Sequence, residues 1–286
     1  WFTMAKSLAG LQQTFGIDGY IGIGPGRGGL TCVKLFYQDS YASAYVYLFG
    51  AHVTSWVDST GLSRIFTSES AIFDGKKAIR GGVPVCFPQF GKLGDLMQHG
   101  FARNSFWEIE RTCVDLRDLI PSVTLLLKSS DTTKQIWEHD FELRLTVTLS
   151  KESEGNLGGS LDCQLKVSNV GPGPFKFSGA LHTYLNVLDI RKAAVHLEAR
   201  EHNYRENATG NKLYGSTSPA YFKGEVDRSI FDVGDKIQLE GFTKDQATVE
   251  KSGFPDAVVW NPYIEKSAGM ADLEDSAWMH FVCVEP

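Results

Sequence analysis

Residues 141–150 read FELRLTVTLS, in which apolar and polar side chains alternate without interruption. Because successive side chains of an extended strand point to opposite faces, this pattern predicts a half-buried β-strand. Residues 161–168, LDCQLKVS, repeat the alternation after a polar, glycine-rich stretch at 152–160. Two alternating strands joined by such a stretch indicate an antiparallel hairpin. This hairpin is the local signal that decides the fold class.

Shorter runs rich in β-branched and aromatic residues occur along most of the chain, separated by Gly, Pro, Asn, Asp and Ser. They predict further strands at 31–37, 43–57, 106–114, 122–128, 175–187, 194–199, 236–240, 246–250, 257–260 and 278–284. Helical periodicity is weak and confined to 4–13 and 132–139, which disfavours alternating βα units. The sequence therefore predicts an all-β protein, built as a large sandwich of antiparallel sheets.

No linker or change of composition divides the chain, and all-β domains of this length are often single. We therefore expect one domain over 29–286, preceded by an amino-terminal arm or extension at 1–28. The arm ends in the glycine-rich run GPGRGG at 24–29. This run has neither a Gly-Lys-Ser/Thr motif nor a strand-to-helix context, so it predicts a flexible turn rather than a nucleotide site.

The composition limits the partners that the protein can have. The 286 residues contain 28 Lys and Arg against 34 Asp and Glu, a formal net charge of −6, so no overall positive field attracts nucleic acid or an anionic membrane. No apolar run approaches the roughly 20 residues of a membrane-spanning helix. Five dispersed cysteines without a CxxC motif favour a reducing intracellular compartment. The cytoplasm and an organelle interior such as the plastid stroma are not distinguished.

Two segments do not fit ordinary strands. Residues 78–91, AIRGGVPVCFPQFG, place Arg80 before a glycine pair and two prolines, which predicts a rigid loop. Residues 98–104, QHGFARN, carry an amide, an imidazole and a guanidinium. Because a planar guanidinium forms paired hydrogen bonds with phosphate oxygens, Arg80 and Arg103 are suited to holding one phosphate. A turn with a solvated arginine is the alternative for each segment.

Two further polar residues interrupt or end apolar strands. His182 lies within the apolar segment 177–185, and Glu285 directly follows the apolar run 278–284. A strand histidine is more often a packed residue than a catalyst, and a glutamate at a strand end is usually solvated, so the residues alone leave both roles open. The seven histidines include no HExxH motif or comparable ligand pair, and no metal site is predicted.

Five short motifs follow one another along the chain. They are RGGVPVCFP at 80–88, QHGFARN at 98–104, HTY at 182–184, VWNP at 259–262 and CVEP at 283–286. In this order they resemble the glucose-6-phosphate 1-epimerases, also called hexose-6-phosphate mutarotases, from about Tyr47 to the end. IEKSAGMAD at 264–272 strengthens the resemblance. This family belongs with the aldose 1-epimerases, so the resemblance implies a galactose mutarotase-like β-supersandwich.

The resemblance also implies an activity and a set of site residues. The activity is interconversion of the α and β anomers of a hexose 6-phosphate, glucose 6-phosphate above all, without cofactor or metal. By position, His182 matches the general acid and Glu285 the general base. The matching substrate-binding positions are Arg80, Gln98, His99, Arg103 and Asp227. The match at Asp227 is weaker because Ile230 stands where a tyrosine is common, and the strand that normally follows the glutamate is not seen before the sequence ends at Pro286.

Anomerisation requires little from the protein beyond an acid and a base. The ring opens when the C1 hydroxyl loses a proton and the ring oxygen O5 gains one, which suits a carboxylate and an imidazole. A galactose-type mutarotase acting on a neutral sugar is one alternative, which the two arginines disfavour. A second is a catalytically idle, carbohydrate-binding or structural subunit of a larger assembly. Whether the protein is a monomer or such a subunit stays open.

Overall fold

The computed structural model describes residues 7–198, 201–210, 212–217, 219–242 and 247–286. Antiparallel strands predominate in this part of the chain, and its three α-helices are short. The helices are Leu8–Phe15, Asp131–Ile136 and Tyr263–Ala268. None of them is long and apolar enough to cross a membrane. The prediction of an all-β protein is therefore confirmed.

The described residues form two compact units. The first comprises the described residues within 1–64, 72–79 and 84–179, and the second those within 65–71, 80–83 and 180–286. The expected arm at 1–28 and single domain at 29–286 stay predictions. Residues 4–6 of the helix expected at 4–13 lie outside the described residues. The helix Leu8–Phe15 begins after Ser7, whose side chain accepts a hydrogen bond from the Gly10 N–H.

The first unit contains two four-stranded antiparallel sheets among its described residues. In sheet order, one consists of Ile21–Pro25, Thr31–Phe36, Ser43–Tyr47 and His52–Val57, and the other of Glu108–Val114, Pro121–Lys128, Phe141–Ser150 and Ser160–Asn169. The short strand Val85–Cys86 and the 3-10 helices Arg27–Gly29 and Ala102–Asn104 also belong to this unit. The last two strands pair from Phe141–Asn169 to Ser150–Ser160 without a shift, so the predicted hairpin is confirmed.

The second unit contains a six-stranded and a four-stranded antiparallel sheet among its described residues. The first has the order Thr183–Asn186, Phe281–Glu285, Ala257–Asn261, Val226–Ile230, Glu201–Glu206 and Lys212–Thr217. The second has the order Ala220–Tyr221, Ala194–Leu197, Lys236–Glu240 and Ala247–Glu250. Strand Ala180–Leu181 and the 3-10 helices Ile190–Lys192 and Ala277–His280 complete the unit. Phe281–Glu285 is buried along its whole length and joins strands that are remote in sequence.

Several predicted strands differ from those observed. The run 43–57 forms two strands rather than one, because the chain turns between them through Gly50 at φ 78°. The run 175–187 is extended only in its second half, and 278–284 begins with a 3-10 turn. The polar strands of the six-stranded sheet, among them Val226–Ile230, were not predicted because they lack the apolar alternation. Residues 199 and 246 of two predicted strands lie outside the described residues.

Candidate active site

The residues matched to the general acid and general base are in contact. His182 Nδ1 lies 3.2 Å from Glu285 Oε1. The contact follows from strand pairing, since Thr183 pairs with Val284 and the Leu181 N–H donates to the Pro286 carbonyl at 3.0 Å. His182 is 7% exposed and Glu285 3% exposed. A carboxylate and an imidazole at this distance, screened from water, can exchange a proton with each other or with a bound molecule.

One face of the six-stranded sheet carries most of the site. Tyr184, Cys283, Trp260 and Asp227 are successive partners across four neighbouring strands. Directly opposed residues of antiparallel strands have their side chains on the same face. Glu285 lies two residues beyond Cys283 and therefore faces the same way. The strand order thus gathers residues that are far apart in the sequence into one cross-strand row.

Aromatic rings hold the His182 imidazole in place. The rings of His182 and Tyr184 stack with centroids 4.8 Å apart and planes at 8°. The ring of Trp260 meets the imidazole edge-on, at 5.9 Å and 87°. Two ring contacts from two strands leave the imidazole little rotational freedom. Tyr184 and Trp260 both lie within the motifs that carry the resemblance, but no local pattern in the sequence indicates this role for either.

Arg80 is tied to the same face through Tyr184. Its Nη1 donates to the Tyr184 hydroxyl at 3.1 Å and its Nε donates to Asp272 Oδ1 at 3.1 Å. Burial alone would lower the pKa of the Arg80 guanidinium, but the interactions with Tyr184 and Asp272 outweigh it and raise that pKa. Burial also raises the pKa of the Tyr184 hydroxyl, against the effect of Arg80. The pair therefore consists of a charged guanidinium and a neutral phenol.

The loop that carries Arg80 needs its glycines. Gly81 has φ 99°, and a Cβ on it would lie 2.5 Å from Thr67 Cα. The Ser68 N–H donates to the Arg80 carbonyl at 3.1 Å, and the Gly82 N–H donates to the Phe66 carbonyl at 2.7 Å. The glycine pair therefore allows two backbone segments to approach each other closely. It fixes the direction in which Arg80 leaves the loop.

Asp227 lies at the other end of the cross-strand row. Its Oδ1 accepts a hydrogen bond from Asn207 Nδ2 at 2.8 Å, and its Oδ2 lies 3.9 Å from Lys266 Nζ. Burial raises the pKa of the Asp227 carboxyl, and the contacts with Asn207 and Lys266 act against that rise. The side chain is 25% exposed, so the carboxylate can still accept hydrogen bonds from a bound hydroxyl.

Cys283 lies next to the acid–base pair. The potential ligand atoms of His182, Cys283 and Glu285 all lie within 4.8 Å of one another, so the three residues could together hold a metal ion. Burial raises the pKa of the Cys283 thiol well above its ordinary value, and the Glu285 charge adds to the rise. A metal ion would have to displace the proton of that thiol. The sequence motifs gave no sign of this group because its members are not contiguous, and the absence of a metal stays a prediction.

Three other residues matched to substrate binding lie in the first unit. Arg103 Nη2 donates to the Gln98 carbonyl at 2.9 Å, and Gln98 Nε2 lies 3.3 Å from His99 Nε2. His99 is buried, and its Nδ1 lies 3.3 Å from Cys86 Sγ. Gln98 thus contacts both His99 and Arg103 within this loop. That Arg80 and Arg103 hold one phosphate stays a prediction.

Comparisons with known proteins agree with this fold. The family model for aldose 1-epimerase matches residues 35–286. A putative glucose-6-phosphate 1-epimerase from Cenchrus ciliaris is 39% identical over 250 residues, which are 85% of this chain and 74% of that protein. A protein of the same name from Escherichia coli K12 is 33% identical, over 82% of this chain and 76% of its own length.

A solved structure extends the similarity to the fold. A putative mutarotase from Salmonella typhimurium has a TM-score of 0.82 and 26% sequence identity, with coverage of 94% of this chain and 86% of its own. This similarity confirms the predicted mutarotase fold. With the family model matched over most of its length, the chain belongs to the aldose 1-epimerase family.

Proposed function

We propose that the protein interconverts the α and β anomers of a hexose 6-phosphate, with glucose 6-phosphate as the first substrate to test. The observation that carries the proposal is the buried contact between His182 and Glu285, at 3.2 Å. Membership of the aldose 1-epimerase family supports the reaction class. Two relatives carry the name putative glucose-6-phosphate 1-epimerase, which supports the phosphorylated substrate.

The chemistry follows from an acid and a base placed at C1 and O5 of the sugar. Glu285 takes the proton from the C1 hydroxyl, the C1–O5 bond breaks, and His182 gives a proton to O5. The open-chain aldehyde rotates about its C1–C2 bond and O5 attacks the other face of C1. The two protons then return to their original groups, so atoms and charge balance over the cycle. Positioned acids and bases of this kind each contribute about 10²- to 10⁴-fold.

The neighbours of His182 suit this role. Because Nδ1 faces Glu285 at 3.2 Å, we assign proton donation to O5 to Nε2. The Tyr184 and Trp260 rings hold the imidazole plane. A fixed imidazole places its proton along one direction, which lowers the entropic cost of the transfer. In this account Asp227 accepts hydrogen bonds from sugar hydroxyls.

Arg80 and Arg103 form different contacts, and we assign them different roles in substrate binding. Arg80 is held by Asp272 and Tyr184, so it can act on the sugar site through Tyr184 as well as on a phosphate. Arg103 lies beside Gln98 and His99 in the matched loop, where its Nη2 donates to the Gln98 carbonyl. Its proposed role is phosphate recognition, since a guanidinium forms paired hydrogen bonds with phosphate oxygens.

Exchange of anomers tests the function directly. Magnetisation transfer between the α and β C1 protons, measured by NMR, gives the interconversion rate with and without the protein. We expect a large acceleration for glucose 6-phosphate and a smaller one for glucose. Acceleration of glucose alone would support the galactose-type alternative. No acceleration of either sugar would contradict the proposal and favour the catalytically idle subunit.

A further inference from the structure

The strand Ser160–Asn169 forms one edge of its four-stranded sheet. It pairs with Phe141–Ser150 on one side and, among the residues that the structure describes, with no strand on the other. Its residues are exposed or half-buried throughout. The apolar ones lie opposite fully buried partners of the neighbouring strand. They are Leu161, Cys163, Leu165 and Val167. The apolar side chains of this edge strand therefore extend the buried apolar row of the neighbouring strand, but they remain partly exposed to solvent.

The other face of this strand carries two exposed charges, Asp162 and Lys166. Lys166 lies opposite Arg144, whose guanidinium is already bound by Glu110 and Glu142. In the described part of the chain, neither Asp162 nor Lys166 forms an ion pair. Lys166 therefore lies beside the positive charge of Arg144. Asp162 and Lys166 both lie on the edge to which a further strand would add.

We propose that two copies of the protein pair through this edge, antiparallel and with Gln164 opposite Gln164 of the second copy. In that register Asp162 lies opposite Lys166 of the second copy, and two-fold symmetry forms the same ion pair twice. Leu161 then lies opposite Val167, and Cys163 opposite Leu165. Apolar residues meet apolar residues on one face and opposite charges meet on the other. Such cross-strand pairs are the ones that stabilise an antiparallel sheet.

The neighbouring registers lack this match. In an antiparallel ladder, two opposed residues point their N–H and C=O groups either both toward the other strand or both away from it. These groups alternate in direction along a strand. Two identical strands can therefore pair only if the two-fold axis passes through a residue rather than between two residues. An axis at Cys163 or Leu165 puts each charge opposite Gln or Ser. An axis at Asp162 or Lys166 puts identical charges opposite each other, which destabilises a sheet. Only the axis at Gln164 makes the strand complementary to itself.

Charges on an edge strand usually hinder pairing with another chain. Here the two charges are of opposite sign and lie at equal distances from Gln164, so they attract in one register and hinder the others. The pairing joins the two four-stranded sheets into one continuous sheet. It does not depend on the proposed catalytic function, because the strand belongs to the first unit and the acid–base pair to the second.

Exchange of the two charges tests the proposal. We expect sedimentation velocity at low salt to show a concentration-dependent dimer, weakened by added salt because exposed ion pairs are screened. Lys166→Asp or Asp162→Lys alone creates two like-charge contacts and raises the dimer Kd at least about tenfold. The double exchange Asp162→Lys with Lys166→Asp restores both ion pairs and the dimer. Lys176→Glu, at an exposed loop position of the same unit, is the control and leaves the dimer unchanged.

Three results would overturn the proposal. One is a wild-type chain that stays monomeric at every concentration, and another is a dimer that is insensitive to either single charge reversal. The third is a double exchange that folds, by circular dichroism, yet stays monomeric while the wild type dimerises. If a charge reversal prevents folding, Lys166→Gln takes its place, because it removes the attraction without adding repulsion, and it is expected to weaken the dimer less than a reversal.

Discussion

Tyr184 connects the imidazole of His182 to the guanidinium of Arg80. Its ring stacks on the imidazole with centroids 4.8 Å apart, and its hydroxyl accepts a hydrogen bond from Arg80 Nη1 at 3.1 Å. Asp272 holds the other side of that guanidinium. A substitution of Arg80 can therefore affect His182, the proposed general acid, through the Tyr184 side chain. Substitutions of Tyr184 can separate the contribution of its ring from that of its hydroxyl.

Tyr184→Phe is expected to keep most of the fold and part of the activity. It retains the stacked ring and removes one hydrogen bond to a charged group, a loss of about 1.5–3 kcal/mol in the free energy of unfolding. Tyr184→Ala also removes the buried ring and is expected to cost about 3–5 kcal/mol. Urea denaturation and anomer exchange measure both effects. Equal loss of activity in the two variants would show that the hydroxyl, not the ring, positions His182.

Because burial raises the pKa of the Tyr184 hydroxyl, this phenol stays protonated through neutral and mildly alkaline pH. Tyr184→Phe is therefore expected to leave the alkaline side of the pH–rate profile unchanged. The measurement is the anomer exchange rate of wild type and variant over the same pH series. An alkaline limb that disappears in the variant would contradict the neutral phenol.

The two arginines are expected to differ in their effects. Arg103→Ala removes the proposed phosphate contact, so the KM for glucose 6-phosphate is expected to rise by roughly 10- to 100-fold, the worth of a charge-assisted hydrogen bond. Exchange of glucose stays unchanged in that variant. Arg80→Ala impairs both sugars, because it also leaves Tyr184 and Asp272 without their partner. Equal losses for glucose and glucose 6-phosphate in Arg103→Ala would remove the phosphate role.

Asp227→Asn is expected to reduce activity without reducing stability at neutral pH. Burial raises the pKa of this carboxyl, so between its unfolded and folded pKa the folded protein binds more protons than the unfolded chain. The contribution of Asp227 to stability therefore falls as the pH rises through the folded pKa. The amide is neutral at every pH and escapes this penalty.

Urea denaturation of wild type and Asp227→Asn at neutral and acidic pH checks this sign. The variant is expected to gain stability relative to wild type at neutral pH and to lose that advantage below the unfolded pKa. Its KM for the sugar is expected to rise, because an amide binds hydroxyls less strongly than a carboxylate does. A variant that is less stable at neutral pH and recovers on acidification would contradict the direction of the pKa shift.

Gly81→Ala is expected to destabilise the protein and disturb the site together. The residue has φ 99°, and the added Cβ would lie 2.5 Å from backbone at Thr67. We expect a loss larger than the roughly 1–3 kcal/mol that a strained backbone alone usually costs, because the added Cβ also clashes with backbone. Gly155→Ala is the matched control, since Gly155 also has positive φ, 80°, but has no atom within 4 Å of the added Cβ. Similar losses in both variants would show that φ alone, not the close approach, is responsible.

The sequence was sufficient for the fold class and for the choice of His182 and Glu285 as candidate acid and base, but not for the geometry between them. Alternation in FELRLTVTLS predicts the hairpin because burial follows the same period. The motif around Glu285 identifies that residue only through resemblance. Its approach to His182 depends on which strands are neighbours, and single-strand patterns do not contain that order. Asp227 lies on the strand Val226–Ile230, which the sequence does not predict because its residues do not alternate between apolar and polar.

The interaction partners of the charged residues could not be predicted from the sequence either. Asp272 was visible within the motif at 264–272, yet nothing local shows that it holds Arg80, which lies far away in the chain. The row formed by Tyr184, Cys283, Trp260 and Asp227 spans four strands. No local pattern in the sequence brings these four residues together, because the row depends on the order of the strands in the sheet.

Anomer exchange of glucose 6-phosphate in acid and base variants tests the central claim most directly. His182→Ala and Glu285→Gln are each expected to lower the accelerated rate by about 10²- to 10⁴-fold while circular dichroism stays unchanged. His196→Ala is the control, because His196 also contacts a glutamate, Glu240, at 2.9 Å but on a more exposed surface; it should keep the wild-type rate. Wild-type exchange in folded His182→Ala or Glu285→Gln would contradict the account.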